Sequence, residues 1–227
     1  MRFEHKLPGA NEVFQKDGTP RPIYRSVLEE LERTGTSRWR EKLRRAHGLL
    51  LDEQYKFGIK KGDKTHPTDW IPRIVPAADW QRLERSLTQR LRAINEFLRR
   101  LEAGKEEVVP REVVKSSILY DTGWKDRFGP VPVRQIAFDV VAVEEDGGWE
   151  YLVIEENAKM PVGLAAMTRR RRMSCEVFPE SHNELPVRSL DGWLARLGDA
   201  LRAASPKGAA ATLAVVSSGP EDQFYLD

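Results

Sequence analysis

At Gly104 the periodicity of the chain changes, and that change restricts the fold more than any other feature. Before it, Leu83, Leu87, Leu91, Ile94, Phe97, Leu98 and Leu101 recur at the spacing of one helix face between Trp80 and Leu101. After it, apolar residues alternate from Val133 to Glu144, a Glu145-Asp146-Gly147-Gly148 turn follows, and Trp149 to Glu155 alternates again. A long amphipathic helix followed by a β-hairpin makes an α+β fold: a helical N-terminal region, then a mixed segment built on an antiparallel hairpin.

Other elements fit around these two. Val27, Leu28 and Leu31 predict one helix from Tyr24, and Trp39, Leu43, Ala46, Leu49 and Leu50 predict a second after Gly35-Thr36-Ser37. The opening residues, with Asp17-Gly18-Thr19-Pro20-Arg21-Pro22, read as turn and loop. Tyr55 to Lys61 reads as the start of a strand. The prolines at 67, 72 and 76 make Thr65 to Pro76 an extended loop, and Ala77-Ala78-Asp79 is placed as the cap of the long helix. Leu164 to Phe178 and Ser189 to Ala204 read as helices, and Ala211 to Ser217 as a strand. The expected organisation is a helical region over 1–104, a mixed segment over 105–208, and the start of a further, truncated domain over 209–227.

Composition excludes several classes. The 37 basic and 35 acidic residues nearly cancel, to a net charge of +2, so the chain lacks the basic excess of a nucleic-acid binder. Arg169 to Arg172 is a basic cluster without interleaved aromatics, and nucleic acid is not an expected partner. No apolar run approaches the roughly 20 residues of a membrane helix. Without a signal-like N-terminus, and with Cys175 as the one cysteine, the expected location is the cytoplasm. The four histidines, His5, His47, His66 and His182, show no metal spacing with one another or with Cys175. The tryptophans read as packing residues.

The chemistry-bearing set is Asp139 on the first hairpin strand with Glu155 and Asn157 at the end of the second. Residues at i and i+2 share a strand face, so Glu155 and Asn157 can both project toward Asp139. Two carboxylates and an amide oxygen are hard donors suited to Mg²⁺ that also holds nucleotide phosphates. On spacing alone, a solvated surface hairpin carries the same residues. Arg73, stiffened between Pro72 and Ile74-Val75-Pro76, is a candidate contact for phosphate or carboxylate, against the alternative of pairing with a nearby Asp. Gln89, Arg90 and Asn95 read as the polar face of the long helix, with the alternative that Asn95 faces the site.

Phe138-Asp139-Val140-Val141, then Val153-Ile154-Glu155-Glu156-Asn157 and Pro161-Val162-Gly163, resembles the metal-holding end of an ATP-grasp domain. Upstream lie Pro67 to Trp80 and Gln89 to Leu98, with Pro20 to Arg25 before them and Phe178-Pro179-Glu180 after. In that order they resemble the circularly permuted ATP-grasp family, over nearly the whole chain. The resemblance implies an ATP-dependent carboxylate–amine ligase working through an acylphosphate, with ATP and Mg²⁺ as cofactors. It also implies Asp139, Glu155 and Asn157 as metal and nucleotide ligands, and Arg171 as a contact for phosphate or the acyl intermediate; a solvated basic helix face is the alternative for Arg171.

The sequence departs from the family pattern at Val162, at Ala166, at Arg169-Arg170 and at Ala142. The lobe that clamps ATP would follow Asp227 in the permuted order. The chain is therefore expected to be part of such a ligase, a fragment or a short homologue, with a second chain as a possible source of the missing lobe. The alternative is a non-catalytic binding or assembly module derived from one.

Overall fold

The computed structural model describes residues 11–52, 68–117, 131–145, 148–159, 161, 163–183 and 185–214. It is α+β, as the periodicity requires, and the chain divides into two units: 1–76 with 162–190 and 215–227, and 77–161 with 191–214.

In the first unit, residues 11–21 fold back on themselves. The Asn11 side chain accepts from the N–H groups of Val13 and Phe14, Gly18 turns the chain at φ 82°, and Phe14 bridges to Pro20. A short 3-10 helix, Pro22–Tyr24, leads into α1, Arg25–Asp52. α1 is broken at Gly35, whose φ of 71° and ψ of 160° leave the helical region, so the expectation of two helices separated near Gly35 holds. α4, Leu164–Val177, and the short α5, Pro179–Asn183, pack against α1.

The core here is Ala46, Val177 and Phe178, with Trp39, Leu43, Leu49 and Trp70 around them. Phe178 lies 4.7 Å from the Trp39 ring and 5.8 Å from that of Trp70, with the Lys42 ammonium 5.6 Å from its centroid. Lys42 also reaches Glu180 of α5 at 2.6 Å. That contact is the first cause of the depressed Glu180 pKa. The run Phe178-Pro179-Glu180 is therefore a packing joint: a ring in the core, a helix start and an ion pair back to α1.

In the second unit, α2 spans Ala77–Glu102 with the expected apolar stripe turned inward and Leu83 buried. It starts earlier than the sequence placed it. Ala77 and Ala78 are strong helix formers directly after Pro76, so they join the helix. Asp79 becomes a first-turn acid bonded to Arg82 at 2.6 Å instead of a cap. At the other end Gly104, at φ 68°, closes a Schellman turn in which the Lys105 N–H reaches the Arg100 carbonyl at 2.8 Å. Glu106 follows it, its carboxylate accepting from the N–H groups of Val108 and Val109. α3 is Arg111–Ser116 and α6 is Trp193–Arg202, which a Gly192 at φ 75° precedes.

β1, Ala137–Glu145, and β2, Gly148–Asn157, form one antiparallel ladder. The expected strand over 211–217 is not found in its described part: 211–214 are irregular after a 3-10 turn at Gly208–Ala210, with no strand beside them among the described residues. The expected strand start at Tyr55 to Lys61 lies outside the described residues, as does the rest of 211–217. Among the described residues no helix is long and apolar enough to cross a membrane.

Candidate metal-binding face

The hairpin forms because both arms are rich in β-branched and aromatic residues: Val140, Val141 and Val143 on one, Tyr151, Val153 and Ile154 on the other. From the turn inward the register is regular, Glu145 opposite Gly148 through Val140 opposite Val153. The ladder then shifts. Asp139 pairs with Glu155, so Ile154 is an extra residue in β2, a β-bulge.

The bulge decides which side chains share a face. In an unshifted ladder Asp139 would oppose Ile154, and Glu155 would fall opposite Phe138 on the other side of the ribbon. With the shift, Asp139 faces Glu155, and Ala137 faces Asn157. Asp139, Glu155 and Asn157 therefore lie on one side, as the sequence predicted, although the i, i+2 argument did not contain the reason. Phe138 and Glu156 are turned to the opposite side.

Asp139 and Glu155 are exposed and Asn157 is half-buried. Directly opposed side chains have Cβ atoms about 5 Å apart, and like charges so placed repel. Along the same side run Val141, Val143 and Leu152, all exposed, and the unpaired Ile154 of the bulge is 65% exposed. Nearer the turn, Glu150 has its pKa raised, first by the hydrogen bond its protonated carboxyl donates to Glu145 and then by that residue's negative charge. This side is apolar in the middle and acidic at both ends.

The chemistry of the donors suits a hard divalent cation, which takes oxygen ligands and usually keeps water or phosphate oxygens in its shell. Two carboxylates and one amide would fill only part of that shell. Among the described residues no cluster of three or more His, Cys, Asp or Glu gathers at one point.

The structure brings together the three hairpin candidates. The two arginines belong to the first unit and are engaged there. Arg73 forms a two-pronged pair with Glu12, at 2.7 Å on each side, so it is paired with an acid, but with a glutamate distant in sequence and not the nearby Asp expected. The backbone beside it is anchored: the Ile74 N–H donates to the buried Tyr24 hydroxyl at 3.0 Å. Arg171 donates to the Arg188 carbonyl at 2.7 Å, and its neighbour Arg170 donates to the Thr68 hydroxyl. These members of the arginine run are built into the unit, which a purely solvated helix face would not be.

Two residues read as polar helix face are joined to the hairpin and to the segment that leads into it. Arg90 of α2 pairs with Glu156, and the Asn95 amide bonds to both backbone groups of Val133, its Oδ1 accepting at 2.8 Å and its Nδ2 donating at 2.9 Å. Val133, four residues before β1, is thereby tied to α2 through its backbone.

An α+β chain with an acid, acid and amide set on one side of a bulged hairpin is thereby defined. A profile described as circularly permuted ATP-grasp type 2 matches residues 72–227. The chain belongs to that family. The Frankia alni protein named "Putative glutamate–cysteine ligase 2-3" is 32% identical over 96% of this chain and 26% of its own length. The Frankia casuarinae "Putative glutamate–cysteine ligase 2-2" is 34% identical, again over 96% and 26%. An uncharacterized protein of Synechocystis is 26% identical over 100% of this chain and 49% of its own length. The chain thus spans between 26% and 49% of the length of these relatives.

Proposed function

We propose that this chain is part of an ATP-dependent ligase that joins a carboxylate to an amine, and that it holds the divalent cation, Mg²⁺, which accompanies ATP. The observation that carries the reading is the bulge at Ile154, which spends a ladder position to bring Glu155 and Asn157 onto the side of Asp139. The family supports ATP as the nucleotide, and the names of the two Frankia relatives support carboxylate–amine chemistry.

In the proposed reaction the substrate carboxylate attacks the γ-phosphate of ATP, releasing ADP and forming an acylphosphate. The amine then attacks the acyl carbon, phosphate leaves, and the amine loses a proton. The cation would neutralise phosphate charge when bound. Asp139 and Glu155 would supply its anionic ligands and Asn157 a neutral one, fixed by the strands that carry them. Arg73 and Arg171 are proposed as contacts for phosphate or acylphosphate oxygens, each exchanging its present partner, Glu12 or the Arg188 carbonyl, for the anion.

Calorimetric titration with MgATP tests this, on the chain alone and mixed with any polypeptide encoded immediately downstream. Binding lost in Glu155→Ala and kept in Glu144→Ala supports the metal face. Absence of binding in every mixture favours a non-catalytic module, for which the apolar side through Val141, Val143 and Leu152 would be the working surface.

A further inference from the structure

Glu155 and Glu156 are adjacent, identical in type, and turned to opposite sides of the ribbon. If the ladder ran without its bulge, Glu156 would take the side of Asp139, and Glu155 and Asn157 would leave it. A two-stranded ribbon is marginal on its own, and a register of this kind is weakly specified unless something outside the ribbon holds it. The structure supplies such a hold on β2 and on the segment leading into β1, from one helix.

On β2, Arg90 of α2 engages Glu156 and so fixes it on the side away from Asp139. On the approach to β1, Asn95 grips Val133. Its amide presents one acceptor and one donor, as a neighbouring strand's peptide would, and meets the Val133 N–H at 2.8 Å and the Val133 carbonyl at 2.9 Å. It also donates to the Leu91 carbonyl at 3.1 Å, one turn back, which orients the amide on its own helix. No other side-chain type of this length offers both groups: aspartate lacks the donor and leucine lacks both.

We infer that Arg90 and Asn95 are positioning residues that lock the bulged register and so select Glu155, not Glu156, for the metal-binding face. The role rests on the proposed metal reading for its consequence, but the lock is a property of the chain itself. Neither residue touches the cation. They act through Glu156 and Val133, as outer partners act on metal ligands.

The test uses the full chain with Mn²⁺ as the probe, read by electron paramagnetic resonance, alongside hydrogen exchange of the hairpin amides and the thermal midpoint. Arg90→Gln and Asn95→Asp are compared with Arg92→Gln, an exposed change on the same helix. Arg90→Gln is expected to raise the Mn²⁺ Kd about threefold, the scale on which an exposed ion pair can bias a register, and to speed exchange at Phe138 to Val140 and Val153 to Asn157, with little movement of the midpoint. Asn95→Asp is expected to do the same, with some loss of midpoint, and Arg92→Gln to do neither. The charge-swapped double variant Arg90→Glu, Glu156→Arg should recover Mn²⁺ binding.

If Asn95→Asp fails to fold, Arg90→Gln and the swapped pair still decide the question. Hairpin exchange and Mn²⁺ affinity unchanged in Arg90→Gln would overturn the lock. Failure of the wild-type chain to bind Mn²⁺ would instead overturn the metal reading, and the exchange measurement would then decide the lock by itself.

Discussion

Asp139 stands opposite Glu155 because β2 carries one residue more than β1 between Val140 and that pair. Two exposed carboxylates are placed against each other where a sheet would ordinarily avoid it. Glu155→Gln should therefore stabilise the metal-free chain, by about 0.5 kcal/mol on the scale of cross-strand pairs, while weakening Mn²⁺ binding. Urea unfolding with and without Mn²⁺ checks both signs; a variant that loses stability in metal-free buffer would contradict the account.

Tyr24 is 2% exposed and its hydroxyl accepts the Ile74 N–H. Tyr24→Phe keeps the ring and removes the acceptor, leaving that N–H without its bond. A loss of about 1–2 kcal/mol is expected in chemical denaturation.

Phe178 fills the joint between Trp39 and Trp70 and is 3% exposed. Phe178→Ala should cost about 3–5 kcal/mol, and Phe178→Leu clearly less, because more of the volume is kept. Near-ultraviolet circular dichroism should lose tryptophan signal in the alanine variant.

His182 shares a 2.9 Å hydrogen bond with Ser174, and its pKa lies below the ordinary value, first through burial and then through the Arg171 charge. A histidine depressed in the folded state takes up its proton more readily when unfolded. Its contribution is present above the unfolded pKa of about 6.5 and is lost as pH falls below it, toward the folded pKa. His182→Gln should flatten stability against pH in that window while leaving the plateau above pH 7 nearly unchanged. Thermal midpoints from pH 7.5 to 5 measure this.

Much of the fold was readable because it rests on local pattern. The α2 stripe, the break at Gly35 and the alternating arms of the hairpin are each set by residues close in sequence. The helix start was missed at Asp79 because a capping side chain is also a good first-turn acid, and only the backbone distinguishes the two. The candidate face was partly legible. Residue types placed Asp139, Glu155 and Asn157 together, but a bulge leaves no mark in the pattern when Leu152, Val153 and Ile154 are consecutive apolar residues. Arg90 and Asn95 could not be found locally, since their partners lie 66 and 38 residues away in the chain. The pairing of Arg73 with Glu12, across 61 residues, is of the same kind.

The bulge at Ile154 has a meaning for comparing sequences as well as for folding. Which glutamate reaches the metal-binding side is settled by counting residues, not by their identity, since Glu155 and Glu156 are the same amino acid. One insertion or deletion in the arm would exchange their places without changing the letter at either position. Aligned by letters alone, a relative could keep the motif and lose the site, or lose the motif's spacing and keep it.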